Sequence, residues 1–127
     1  MTDKETIEPI TVGLSSKNHE MLEKFKQEKI FLEMMDGYRF AIAYALNKGV
    51  VPPSLSGEKR TTAFNIGSLD QKKEIYNAIV ALNPEINPPI YKYAERLAEW
   101  GMTELVKKYE NDHRLDLVEI ISESIQE

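Results

Sequence analysis

The chain contains no cysteine, which excludes disulfide staples, thiolate nucleophiles and cysteine-ligated zinc together. Its histidines are two, His19 and His113, and neither has the further ligands in sequence reach that a metal centre requires. Long apolar runs are missing. The longest near the middle, Phe40 to Leu46, falls well short of the roughly 20 residues needed to span a bilayer. Met1-Thr2-Asp3-Lys4-Glu5 leads into no apolar segment, so no secretory signal and no membrane partner are expected, and the chain reads as cytoplasmic. A Gly-rich phosphate loop, a nucleophile elbow and metal-ligand spacing are also lacking. The expectation is a protein with no catalytic activity of its own and no cofactor. Excess positive charge is missing too: the net charge is −5, which argues against a protein that simply coats nucleic acid.

What is present suits a folded domain. With 127 residues, 42% apolar and 29% charged, the chain can bury a core without staples and reads as one domain, 1–127. Charge is unevenly spread. Between Lys48 and Lys73 five bases (Lys48, Lys59, Arg60, Lys72, Lys73) face two acids (Glu58, Asp70), whereas from Glu104 onward seven acids face three bases. An anionic ligand would meet the middle of the chain and avoid the tail.

Residues 1–8 are polar and expected to fray. In Ile10-Thr11-Val12-Gly13-Leu14 the apolar residues alternate, the period of a half-buried strand. Ser15 or Ser16 can cap a helix whose inner face holds Met21, Leu22 and Phe25. A stronger helical pattern follows in Phe31, Met34, Met35, Tyr38, Ile42, Ala45 and Leu46, with Gly37 and Ala41 as points of close backbone approach. Asn47-Lys48-Gly49 ends it, and Pro52-Pro53 forbids continuation. The loop over 50–67, with Ser56-Gly57 among its turn formers, is the one candidate hinge. Inside it, residues 61–66 alternate as a possible second strand, and pairing of Thr62–Ile66 with Ile10–Leu14 in the same chain is the alternative to pairing between two chains.

Ser68-Leu69-Asp70-Gln71 has capping-box spacing, and the helix behind it is expected to bury Leu69, Ile75, Ile79, Val80 and Leu82 before Asn83-Pro84 stops it. Asn87-Pro88-Pro89 opens a helix ending near Trp100-Gly101, with a shorter one carrying Leu105, Val106 and Tyr109. Asp116 caps a last helix expected to bury Val118, Ile121 and Ile125. The fold class is mainly α: an N-terminal strand-helix-helix over 9–49, then a helical part over 68–127.

The order of strand Ile10–Leu14, short helix, tight turn and longer apolar-faced helix resembles the ribbon-helix-helix family of DNA-binding proteins. That resemblance implies a homodimer in which two chains pair their strands antiparallel, with Ile10, Val12 and Leu14 on the core side and Met34, Met35 and Tyr38 of the longer helix in the same interface. It implies a two-stranded ribbon in the major groove, with Thr11, Gly13 and Ser15 turned to duplex DNA. A second similarity covers Phe40-Ala41-Ile42-Ala43-Tyr44-Ala45-Leu46, the Ser56-Gly57 loop, Phe64-Asn65 and Gly67-Ser68-Leu69-Asp70. This layout looks like DndE, the small helical accessory protein of bacterial DNA phosphorothioation systems, and implies lysine contacts to the DNA backbone from an oligomer.

Candidate chemistry is sparse. Lys59, Arg60, Lys72 and Lys73 could form a phosphate-binding patch, with Ser68 and the helix amides behind it; the alternative is a solvated loop beside a charged helix face. Glu95 and Glu99 stand four apart on one helix, where a solvated face is expected rather than a carboxylate pair for acid–base work. Asp36 and Arg39, three apart in the most apolar helix, are expected to make a buried or interfacial ion pair. His19 with Glu23, and His113 beside Asp112, read as surface groups. At least one of Tyr91 and Tyr93 is expected to be exposed and available to a partner. Two functions follow as expectations: a small DNA-associated accessory factor in bacterial DNA modification or defence, or a protein-interaction subunit that docks a larger partner through the N-terminal strand or the 31–46 helix.

Overall fold

The computed structural model describes residues 7–55 and 59–125, with backbone alone from 123. Of the expected frayed segment, residues 1–6 lie outside this range, as do Ser56 and Gly57 of the candidate hinge. Strand β1 (Thr11–Ser15) forms where the alternation predicts it. Its partner is β2 (Arg60–Asn65) of the same chain, antiparallel, with Thr11 opposite Asn65 and Ser15 opposite Arg60. The ribbon expected between two chains is therefore closed within one. Its ends are sealed by Ser16 N donating to Lys59 O and Ile66 N donating to Ile10 O, both at 2.9 Å. A bulge at Val12/Gly13 shifts the register. At Gly13 a Cβ would lie 2.1 Å from Thr61 O, so only glycine lets the two backbones approach there.

Helix α1 (Ser16–Gln27) is capped by Ser15, whose Oγ accepts from Asn18 N at 3.3 Å. Leu22 and Phe25 are buried as its spacing predicts. Helix α2 (Met34–Lys48) begins later than its apolar pattern. Residues 28–33 form a turn with Lys29 at φ 63°, and Phe31 is buried from that turn, its ring 5.7 Å from that of Phe40. Gly49, at φ 68°, ends α2 as expected.

Of the six residues expected in a twin interface, the fold uses several otherwise. Val12, Leu14 and Tyr38 are buried in the chain's own core, while Met34 and Met35 are half-buried against it. Ile10 is 77% exposed, so it lies outside the core that the alternation put it in. Chain closure is the physical reason. Phe64 of β2 meets Tyr38 edge-on at 4.9 Å, which completes under the ribbon the apolar layer a twin would otherwise supply.

The second half differs from its sequence pattern in four places, the first being that Val80 and Leu82, expected in the core, are exposed. Helix α3 (Ile66–Leu69) is a single turn capped by Asn65, whose Oδ1 accepts from Gly67 N at 2.7 Å. Ser68 caps nothing. Instead the buried Asp70 carboxylate accepts from Ile75 N (2.9 Å) and Tyr76 N (3.0 Å) at the start of α4 (Glu74–Leu82). Helix α5 (Ile90–Asp112) is one continuous helix, not two. Gly101 does not break it; it is where α2 crosses, since a Cβ there would lie 2.2 Å from Ala41 O. Helix α6 (Leu117–Ile125) is capped by Asp116 as expected, but it buries Ile120 and leaves Val118 and Ile121 exposed. The side chain of Ile125 lies outside the described residues.

Leu14, Leu22, Ile42, Leu97, Met102 and Leu105 fill the centre between the ribbon, α1, α2 and α5. Each contributes roughly 1.5–3 kcal/mol on burial. No described helix is long and apolar enough to cross a membrane.

Candidate functional site

Strand β1 has a second edge, and its treatment organises the polar interior. The N–H groups of Gly13 and Ser15 point away from β2 and need acceptors. Glu95 Oε2 accepts from Gly13 N and Glu99 Oε1 from Ser15 N, both at 2.8 Å. The match is metrical. Residues four apart on a helix rise about 6 Å, and alternate amides on a strand stand about 6.6 Å apart, so two carboxylates on successive turns of α5 meet two successive outward amides of β1.

Arg60 joins both acids from the other strand. Its Nη2 donates to Gly13 O at 3.1 Å and lies 3.5 Å from Glu95 Oε2, while Nη1 lies 3.5 Å from Glu99 Oε1. Asn18 Nδ2 donates to Glu99 Oε2 (2.8 Å) and Thr103 Oγ1 (3.1 Å), and Tyr38 donates its hydroxyl to Gly13 O at 3.0 Å. Burial pushes the Tyr38 hydroxyl well above the ordinary tyrosine range, and the negative charge of Glu95 adds to the shift. Glu95 is only 7% exposed, so the solvated face expected for this pair is a buried one. Both carboxylates are occupied as acceptors for the ribbon.

Depressions that carry residues of this cluster include one of about 410 Å³ lined by Ser15, Asn18 and Glu99 and one of about 260 Å³ lined by Gly13, Arg60 and Glu95. A cleft of about 350 Å³ is lined by Ser54, Arg60, Arg96, Glu99, Trp100 and Thr103. Arg96 fixes its rim by donating to the carbonyls of Pro52 and Pro53. At the far side of the same loop, Leu46, Val50, Val51, Leu82 and Tyr93 line a groove of about 200 Å³. It shares Asn83 and Tyr93 with a wider depression of about 420 Å³ that adds Ile86. Among the described residues, no three histidines or carboxylates converge as metal ligands would.

No family model, curated protein or solved structure matches this chain. Of those expected to face DNA, Thr11 is exposed, whereas Gly13 and Ser15 are buried beneath α5. Lys59 and Lys72 are exposed but stand beyond opposite ends of β2, whose six residues span about 20 Å. Lys73 adopts φ 58° before α4 and lays its ammonium 5.1 Å over the Tyr76 ring. Arg60 is committed to the two glutamates. The four cations are thus not brought into one patch.

Asp36 and Arg39 pair at 3.4 Å on the surface, not in the interior, and Arg39 also donates to Leu69 O at 2.9 Å. Tyr91 is buried and donates to Asp70 Oδ2 at 2.7 Å; burial and that hydrogen bond raise its pKa. Tyr93 is the partly exposed member of the pair.

Two functional placements escape sequence reasoning. Glu95 and Glu99 lie beside Tyr91, Ala98 and Met102 at helical steps, so the pair sits on the rim of an apolar stripe, a signal that was legible. Glu8 carried none. Its carboxylate accepts from Ile90 N (2.7 Å) and Tyr91 N (2.8 Å), capping α5 from 82 residues away.

Proposed function

We propose that this chain is a non-catalytic protein-interaction module that docks a larger partner at the apolar groove where α2, α4 and α5 meet. The observation that carries this is the exposure of Val51 and Leu82, at 84% and 62%, as walls of one concavity with Val50 and Tyr93. Apolar side chains held in water beside a depression mark a contact surface more often than scattered ones do. Covering each would contribute on the order of 1.5–3 kcal/mol. The partner's contribution is an apolar helix face or loop. The polar cluster at β1 supports the same reading, because its carboxylates are already occupied by the ribbon.

The test is a photocrosslinking amino acid replacing Val51, with a control at exposed Lys17. A discrete adduct from position 51, absent at position 17 and lost on Leu82→Glu, supports the docking role. Equal adducts from both positions refute it. Leu82→Glu should leave the melting temperature unchanged, since the side chain is already in water.

A duplex-binding role is the second proposal, favoured by the strand-helix-helix order of β1, α1 and α2 and by the adjacent exposed Lys72 and Lys73. In that role the chain is an accessory factor in bacterial DNA modification or defence. Binding to duplex DNA should then weaken steeply with salt, and the slope should shrink by about one per phosphate contact on Lys59→Ala, Lys72→Ala or Lys73→Ala. No binding at low salt sinks this second reading and leaves the first intact.

A further inference from the structure

The cleft beside the buried network has a charge imbalance of its own. Glu99 is matched by Arg60 and accepts from Ser15 N and Asn18 Nδ2, so its negative charge is already compensated. Glu95 is matched by Arg60 and by Lys92 at 3.8 Å. Arg96 differs. It is half-buried, donates among the described residues to the neutral carbonyls of Pro52 and Pro53, and lies 5.6 Å over the Tyr93 ring. Among the described residues no carboxylate pairs with it. A guanidinium partly withdrawn from water, with no anion beside it among the described residues, favours binding one, and its planar fork suits a carboxylate.

Beside Arg96 the cleft presents the apolar surfaces of Pro53, Leu55 and Trp100, next to the Arg60–Glu99 pair. Trp100 lines the cleft, its ring stacked on that of Tyr44 at 5.9 Å and 30°, and is held at one orientation by that contact. Ser54 and Thr103 add hydroxyls at the rim. The volume, about 350 Å³, lies at the small end of ligand pockets, which run from roughly 300 to 1,000 Å³.

We infer that the cleft between residues 53–55 and α5 is a binding site for a small organic carboxylate carrying a flat apolar group, with Arg96 taking the carboxylate and Trp100 the flat face. This site is separate from the docking groove and does not depend on it.

Trp100 is the chain's one tryptophan, so its fluorescence reads the cleft directly. Wild-type protein is titrated with phenylacetate, with phenethylamine (the same ring on an ammonium) and with acetate. The expected result is a saturable Trp100 change with phenylacetate in the millimolar range or tighter, and none with the other two. Arg96→Gln should weaken phenylacetate by about tenfold or more, the loss of a charge-assisted contact, and Arg96→Lys should recover part of it. Because Arg96 also holds the loop, the ligand comparison on unmutated protein stands independently of the variants. A saturable response to phenethylamine equal to that for phenylacetate overturns the assignment. So does an equal response to acetate, an unchanged affinity in Arg96→Gln, or no saturable response to phenylacetate at all.

Discussion

The carboxylate seal on β1 makes the sharpest stability prediction. Glu95→Ala removes the acceptor of Gly13 N, held at 2.8 Å in a buried site. Leaving a buried amide unsatisfied costs about 1–3 kcal/mol. The same change takes one of two carboxylates from Arg60. Since Glu99 remains and Arg60 is partly solvated, that loss is worth only about 1 kcal/mol. The expected total is about 2–4 kcal/mol, read as a lower urea midpoint at unchanged m-value. Glu95→Gln keeps an oxygen for Gly13 and loses only the charge, so it should cost about 1 kcal/mol. In an Arg60→Ala background the cost of Glu95→Ala should fall, because the two share one network. If Glu95→Ala changes stability by less than about 0.5 kcal/mol, the value of an ordinary surface substitution, the carboxylate is a solvated helix group and the sealed-edge argument is wrong.

Other consequences follow from single contacts. Gly101→Ala should destabilise by about 1–3 kcal/mol in a thermal melt through overpacking, since the new Cβ would meet Ala41 O at 2.2 Å; helix propensity alone predicts a gain of about 1 kcal/mol, so the sign decides. Glu8→Ala should cost about 1 kcal/mol as a lost cap and speed hydrogen exchange at the Ile90 and Tyr91 amides. Tyr38 and Tyr91 both have raised pKa values. Their contribution is therefore fully present below the ordinary tyrosine value of 10.0 and is lost as pH rises through the folded-state values. Alkaline titration monitored by circular dichroism should show unfolding above pH about 10, less steeply in Tyr38→Phe.

Local pattern reached far into the fold. The cap at Ser15, the stop at Gly49, a second strand near 61–66 and the cap at Asp116 all depend on neighbours within a few residues, and all are found. Periodicity misled where the chain's outer faces are concerned. Leu82, Val118 and Ile121 have helical spacing yet stay exposed, because spacing shows which residues share a face but not whether anything covers it. Gly101 read as a terminator because a glycine in mid-helix has no local reason to be there. Its reason is the backbone of α2, sixty residues away.

The candidate site was the least legible part. Arg60 looks like a free cation in a basic stretch, and Glu95 and Glu99 look like a solvated pair among Lys92 and Arg96. What the sequence by itself determined is a helical chain with two short strands and a core at helical and alternating spacing, since those follow from side-chain period and capping chemistry. Only tertiary structure decided that the first strand meets the second rather than a twin, and that α5 lies along its other edge. Unsatisfied backbone amides must find acceptors, but which acceptors they find is set by the packing of distant elements, and no local rule records it.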